Sequence, residues 1–229
     1  MKQTTWGLVM ATGRAEQISA EIDTPFLYLN DRPVLAYSLA AFMQCADIDG
    51  IVVVIEKERA ESVLGMVQML GFSKVKKIVA GKTKRSAAMA SGLEHVDDEV
   101  EWVCVHDASR PLVTPGQITD TVKCARRHGS GVMAMPVADP LVQANKHVID
   151  SRLDAAGHYW TVLSPQTYAR EALMRAYPKA AKDRKNHADD LEAMRSVGVV
   201  PRLVPITVPT LRIRSTDDLS PALALMKLG

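Results

Sequence analysis

Short apolar runs alternate with amphipathic segments along most of this chain. "GIVVVIE" (50–56) and "EWVCVHD" (101–107) are apolar without polar alternation and are bounded by polar residues. With "WGLVMAT" (6–12) and "GVMAMPV" (131–137) they read as strands buried on both faces, the signature of a parallel sheet. Between them, "PVLAYSLAAFMQC" (33–45) has apolar residues at helical spacing and Pro33 at a first-turn position. "RAESVLGMVQMLG" (59–71) ends at Gly71, a C-cap residue type. "SAAMASGLEHV" (86–96) and "PGQITDTVKCARRHG" (115–129) follow, the latter closing at Gly129. This alternation predicts βαβ units wound into an α/β fold, a mainly parallel sheet with helices on both faces.

The rhythm changes after Pro136. "VADPLVQANKHVIDSRLDAAGHYWTVLSPQ" (137–166) has no helical period and mixes short alternating runs with turn residues. It predicts a β-arm over about 139–163 that leaves the main sheet. Helices are expected again at 168–177 and 187–197, a strand in "VPRLVPIT" (200–207) and a closing helix from Thr216. Without repeats or a low-complexity linker, residues 1–229 are expected to form one domain with one excursion.

Composition narrows the function classes. The chain is 47% hydrophobic and 24% charged, enough to bury a sizeable core. A net charge of +2 comes with no basic stripe, and "KAAKDRK" (179–185) reads as a solvated helix end, so no nucleic-acid partner is assigned. Cys45, Cys104 and Cys124 are odd in number and lack CxxC pairing, which argues against a disulfide framework or a zinc site. Lys2 is not followed by an apolar h-region, and no window approaches eighteen uninterrupted apolar residues. A cytoplasmic protein with no membrane partner is expected.

Ligands of open parallel sheets sit outside the carboxyl ends of the strands. Those ends fall at Ala11-Thr12-Gly13, near Gly81, at His106-Asp107 and at Asp139. "VHDASRP" (105–111) delivers Asp107 to this rim, with Arg110 on the loop behind it. Two readings fit that spacing: a divalent cation and a phosphate held side by side, or an Asp–Arg ion pair that ties down the loop. "GKTKRS" (81–86) places Gly81, Lys82, Lys84 and Arg85 before a helix, where backbone N–H groups favour an anion. His106 reads as positional, and His187 as either facing the rim or capping a helix. The first loop fits neither GxGxxG nor GxxxxGK[ST], so dinucleotide dehydrogenases and P-loop kinases are poor matches.

"VHDASRP", "PVAD" (136–139), "LSPQ" (163–166) and "LRIRSTDDL" (211–219), in this order, resemble the cytidylyltransferases that activate 2-C-methyl-D-erythritol 4-phosphate in non-mevalonate isoprenoid synthesis. Relatives that activate ribitol 5-phosphate share the plan, and the likeness runs over nearly the whole chain. The resemblance implies Mg²⁺-dependent transfer of CMP from CTP to a polyol phosphate with release of pyrophosphate, by a homodimer joined through the arm. It implies that Ala11, Thr12, Gly13, Gly81, Arg85, Ala88, Asp107 and Ala108 line the nucleotide site. Asp107 and Arg110 would lie where the acceptor phosphoester and Mg²⁺ meet, with Asp107 on the metal. Asp139 would bind the acceptor hydroxyls, and Ala188 would also fall at the acceptor. Arg212 stands where the family has a lysine for the acceptor's phosphate.

The chain departs from the family pattern at several of these positions. The family's first loop reads roughly A-A-G-x-G-x-R-M and continues to P-K-Q. Here its second glycine is Ala15, its catalytic arginine is Gln17 and its lysine is Thr24. The serine of the cytidine-binding turn is Ala88, the threonine and lysine after Asp139 are Pro140 and Val142, and the threonine before Asp189-Asp190 is Ala188. The arm's arginine has no counterpart near Ala156. Removing one preorganised donor costs about 2.7–4 kcal/mol, or roughly 10²–10³ in rate. The expectation is therefore slow turnover unless Arg14, Lys82 or Lys84 supplies the missing charge. A reading from another class is a catalytically impaired paralogue that acts by binding.

Overall fold

The computed structural model describes residues 3–12, 23–82, 84–153, 159–178, 187–208 and 210–227. In chain order these form β1 (Thr5–Ala11), the short strands β2 (Tyr28–Leu29) and β3 (Arg32–Pro33), α1 (Val34–Gln44) and β4 (Gly50–Ile55). Next come α2 (Ala60–Met69), β5 (Val75–Ala80), α3 (Arg85–Leu93), β6 (Trp102–Asp107), α4 (Pro115–His128) and β7 (Ser130–Pro136). They are followed by β8 (Val142–Asn145), β9 (Val148–Arg152), β10 (Trp160–Ala169), α5 (Arg170–Ala176), α6 (Asp190–Ser196), β11 (Leu203–Pro205) and α7 (Leu219–Met226).

Seven strands form one sheet in the order β11-β7-β10-β6-β1-β4-β5. All its pairings are parallel except those of β10, which runs antiparallel to both β6 and β7. The expected mainly parallel α/β architecture is therefore present, and the absence of polar alternation has a direct cause. Leu8, Met10, Val52, Val54, Val103 and Val105 pack with α3, α5 and α6. The intervening Val9, Ala11, Val53, Ile55 and Cys104 pack with α1, α2 and α4 on the other face. Burying each Val, Leu or Ile side chain contributes about 1.5–3 kcal/mol, so a charged residue at Val53 or Val105 would undo one layer. Among the described residues, no helix is long and apolar enough to cross a membrane.

The helix ends follow their local chemistry. Thr114 and Gln117 form a capping box at the start of α4, and Gly129 ends the helix in the left-handed region at φ 85°. Asp189 accepts the Glu192 N–H and starts α6 later than the expected residue 187. Pro33 sits at the N-cap of α1 rather than inside its first turn.

The excursion is shorter than the sequence reading gave. β8 and β9 form a hairpin whose residues are all exposed. By Trp160, not 163, the chain has returned to the main sheet, because Trp160, Thr161 and Val162 pair with Pro136, Met135 and Ala134 of β7. Polar residues hide this strand from a hydrophobic pattern. Thr167 is wholly buried and shares a 2.9 Å hydrogen bond with Thr121, while the Tyr168 hydroxyl donates to Gln166 Oε1 at 2.7 Å. Strand pairing carries on to Ala169, so the helix expected from 168 begins at Arg170. The 179–185 segment lies outside the described residues.

Candidate active site

Parallel pairing of β6, β1, β4 and β5 aligns their carboxyl ends, which brings Asp107, Ala11, Ile55 and Ala80 to one rim. Backbone bonds join the loops that leave it: Ala108 N–H donates to the Met10 carbonyl at 2.9 Å and Gly81 N–H to the Ile55 carbonyl at 2.7 Å. Gly81 is required by close packing. A Cβ there would lie 2.6 Å from Thr12 Cγ2, 2.7 Å from Val54 Cγ1 and 3.3 Å from the Ala88 methyl. Three residues read as nucleotide-binding, Thr12, Gly81 and Ala88, thus meet in space. Thr12 and Gly81 are partly exposed, whereas Ala11, Ala88 and Ala108 are wholly buried or nearly so and back the rim from beneath.

Asp107 is the centre of charge at the rim. Its Oδ1 accepts the Ser109 N–H at 3.0 Å and the Ser109 hydroxyl at 2.7 Å. Its Oδ2 lies 3.1 Å from Arg212 Nε, which also donates to Ser109 Oγ at 3.2 Å. Burial works against ionising this carboxyl. The Arg212 charge, the two Ser109 bonds and the Arg85 charge outweigh burial and hold it below the usual carboxylate range. Of the two readings of "VHDASRP", the ion pair exists, but its arginine is Arg212 rather than Arg110. The Arg110 guanidinium donates instead to the Thr210 carbonyl at 3.4 Å.

The loop behind Asp107 is fixed by a neutral histidine. His106 Nε2 is 3.3 Å from the Arg110 carbonyl and must donate to it, so Nδ1 accepts from the Ser164 hydroxyl at 3.2 Å. Ser164 Oγ in turn accepts the Asp107 N–H at 3.1 Å. Burial pushes the imidazole down to about 4, because a wholly buried cation has no water to solvate it. His106 is positional, as its place in the motif implied.

Arg85 does not stand free. Its Nη2 lies 2.5 Å from Asp190 Oδ2, and Asp190 Oδ1 accepts the Tyr177 hydroxyl at 2.6 Å. Asp190 is buried while the Arg85 side chain is 44% exposed. Burial and the Asp190 charge both push the Tyr177 hydroxyl above its ordinary range, which keeps it a donor. His187 packs edge-on against Tyr177 with ring centroids 6.0 Å apart.

The remaining sequence-read positions are scattered. Asp139 is exposed beyond the end of β7. Ala188 is exposed beside the start of α6, and its N–H donates to Glu192 Oε2 at 2.5 Å. Thr24 is only 4% exposed and opens a short turn of helix, so the side chain at the family's lysine position is here buried. Gly13, Arg14 and Gln17 lie outside the described residues. Lys82 and Lys84 are exposed on the loop after β5. Sequence reasoning gave no role to Ser109, Ser164, Tyr177 or Asp190; "LSPQ" had marked the segment of Ser164 but not its partner.

Among the described residues, no three His, Cys, Asp or Glu side chains gather as a metal cage. One ionised carboxylate is nevertheless what Mg²⁺ uses when substrate phosphates complete its shell, and Asp107 fits that role. A cavity of about 570 Å³ beside Gly129 and Ala169 lies at the other end of the sheet.

The model of the family "2-C-methyl-D-erythritol 4-phosphate cytidylyltransferase" matches residues 6–228. The chain belongs to this family. The enzyme of that name from Alkaliphilus metalliredigens is 27% identical over 93% of this chain and 88% of its own length. Its counterpart from Desulforamulus reducens is 28% identical over 96% and 94%. Among solved structures, 4-diphosphocytidyl-2C-methyl-D-erythritol synthase from Anaerococcus prevotii superposes with a TM-score of 0.84 at 18% identity, covering 99% of this chain and 97% of that one. The Thermus thermophilus cytidylyltransferase gives 0.75 at 24% identity, over 96% and 98%. These superpositions establish the shared fold. The family is one of cytidylyltransferase enzymes, and its membership agrees with the rim geometry.

Proposed function

We propose that this chain transfers a cytidylyl group from CTP to the phosphate of 2-C-methyl-D-erythritol 4-phosphate. The observation that carries the reading is the Asp107–Arg212 pair, 3.1 Å apart at the carboxyl rim of the sheet in a chain of this family. An oxygen of the acceptor phosphate attacks the α-phosphorus, a new P–O bond forms, and the bond to the bridging oxygen breaks to release pyrophosphate. Such chemistry depends on positioning and on neutralising charge. Arg212 and Arg110 would orient the acceptor phosphate, with Asp107 between it and the nucleotide. The Gly81 loop would receive the nucleotide, with Lys82 and Lys84 near its phosphates. Mg²⁺ held by Asp107 and phosphate oxygens would neutralise charge on the triphosphate.

Turnover in this reading is slow by the family's ordinary route. Gln17 can hydrogen-bond but carries no charge, and Thr24 is uncharged and buried. Two lost cations correspond to roughly 10⁴–10⁶ in rate if independent. The functional unit in this reading is a cytoplasmic homodimer. Its support is the exposed hairpin, where Val142, Val148 and Ile149 are 46%, 67% and 64% exposed and need an apolar partner.

Pyrophosphate release with CTP, Mg²⁺ and 2-C-methyl-D-erythritol 4-phosphate tests the reaction. Release that depends on all three supports it, and no release at high protein concentration defeats it. A monomeric mass in light scattering at micromolar concentration defeats the dimer.

A further inference from the structure

Arg214 is a cation to which the mechanism above gives no task. It and Arg212 flank Ile213, which is 1% exposed and packs with Leu29, Val34 and Ala222. Ile213 N–H donates to the Ser109 carbonyl at 2.8 Å, which seats the segment against the Asp107 loop. Ile213 is turned into the core, while Arg212 and Arg214 on either side of it are both exposed.

Arg110 lies on the loop that this segment covers. Besides burial, Arg110 feels the charges of Asp107, Arg212 and Arg214, so the charges of both arginines of this segment reach the Arg110 guanidinium. The other carboxylate nearby, Asp218, turns Oδ2 to the backbone N–H groups of Arg214 and Ser215 at 2.7 and 3.1 Å. Like charges held together repel, and a tetrahedral dianion relieves that repulsion while accepting bidentate bonds from arginine forks. The segment is tied to the loop after β6 through the Ser109 carbonyl, whereas Thr12 and Gly81 follow β1 and β5.

We infer that Arg214 is a phosphate-binding residue, forming with Arg110 and Arg212 a three-arginine cradle for the phosphate monoester of the acceptor. The anion follows from the cluster itself; its identity as the acceptor's phosphate rests on the function proposed above.

Inorganic phosphate and, separately, CTP are titrated by calorimetry into the full chain, its Arg214→Ala variant and its Arg214→Lys variant. The phosphate dissociation constant should rise about fivefold to tenfold in Arg214→Ala and largely recover in Arg214→Lys. CTP affinity should change by less than about twofold. In turnover, the Arg214→Ala variant should raise KM for the acceptor and leave kcat near its starting value. Equal phosphate affinity in the starting protein and Arg214→Ala overturns the inference. A loss confined to CTP also overturns it, by assigning Arg214 to the triphosphate. If the starting protein releases no pyrophosphate, the proposed reaction fails, while the phosphate titration still decides Arg214.

Discussion

Asp107 is ion-paired with Arg212 at 3.1 Å, not with Arg110, the nearer arginine in sequence. The pairing joins the carboxyl end of β6 to a segment that enters the chain only after β11. That segment is held by Ile213 in a small core of its own with α7, so the C-terminal helix contributes to the site by seating Arg212. Arg110 is left with a long bond to the Thr210 carbonyl and with the charges around it.

The Arg85–Asp190–Tyr177 cluster should behave as a structural tie between the start of α3, the end of α5 and the start of α6. Asp190→Ala leaves the Tyr177 hydroxyl without its acceptor and the partly exposed Arg85 without its anion. A loss of about 2–4 kcal/mol is expected for Asp190→Ala and about 1 kcal/mol for Tyr177→Phe. Urea unfolding reads both, and equal midpoints for Asp190→Ala and the starting protein would contradict the tie.

Acid stability should report on His106. Its folded value of about 4 lies below the ordinary 6.5, so between these pH values the unfolded chain binds more protons than the folded one. The contribution is fully present above pH 6.5 and is lost as pH falls to about 4, for a total of about 3 kcal/mol. Asp107, whose carboxyl is held below its ordinary 3.8, adds a second loss that begins below that window. His106→Gln should flatten the slope of unfolding free energy between pH 6.5 and 4. An unchanged slope would place the proton elsewhere.

Gly81→Ala should disturb the rim without touching any charge. The new methyl would meet Thr12 Cγ2 and Val54 Cγ1 at 2.6 and 2.7 Å, closer than side chains tolerate. Overpacking of this kind costs about 1–3 kcal/mol, and CTP affinity should fall because the loops after β1 and β5 are forced apart. Unaltered CTP binding in Gly81→Ala would remove this loop from the nucleotide site.

The sequence made the sheet legible where burial is two-sided. Val52, Val53, Val54 and the Val103–Val105 run need no alternation, because both faces are covered. β10 was hidden for the opposite reason: its buried Thr167 and its Gln166–Tyr168 bond satisfy polar groups only through partners that spacing does not show. The same limit governs the site. Asp107 was placed at the rim by its strand, but Arg212, Ser164 and Asp190 come to their partners from other elements, and only the fold reveals which arginine meets which carboxylate. Thr24 reads as a site position from the sequence, and in the fold its side chain is buried.

The central claim is that cytidylyl transfer runs on the Asp107–Arg212 rim, and pyrophosphate release by Arg212→Ala tests it most directly. With CTP, Mg²⁺ and 2-C-methyl-D-erythritol 4-phosphate, kcat/KM should fall by roughly 10²–10³ relative to the starting protein, with partial return in Arg212→Lys. Release at an undiminished rate in Arg212→Ala would contradict the account and place the acceptor elsewhere on the molecule.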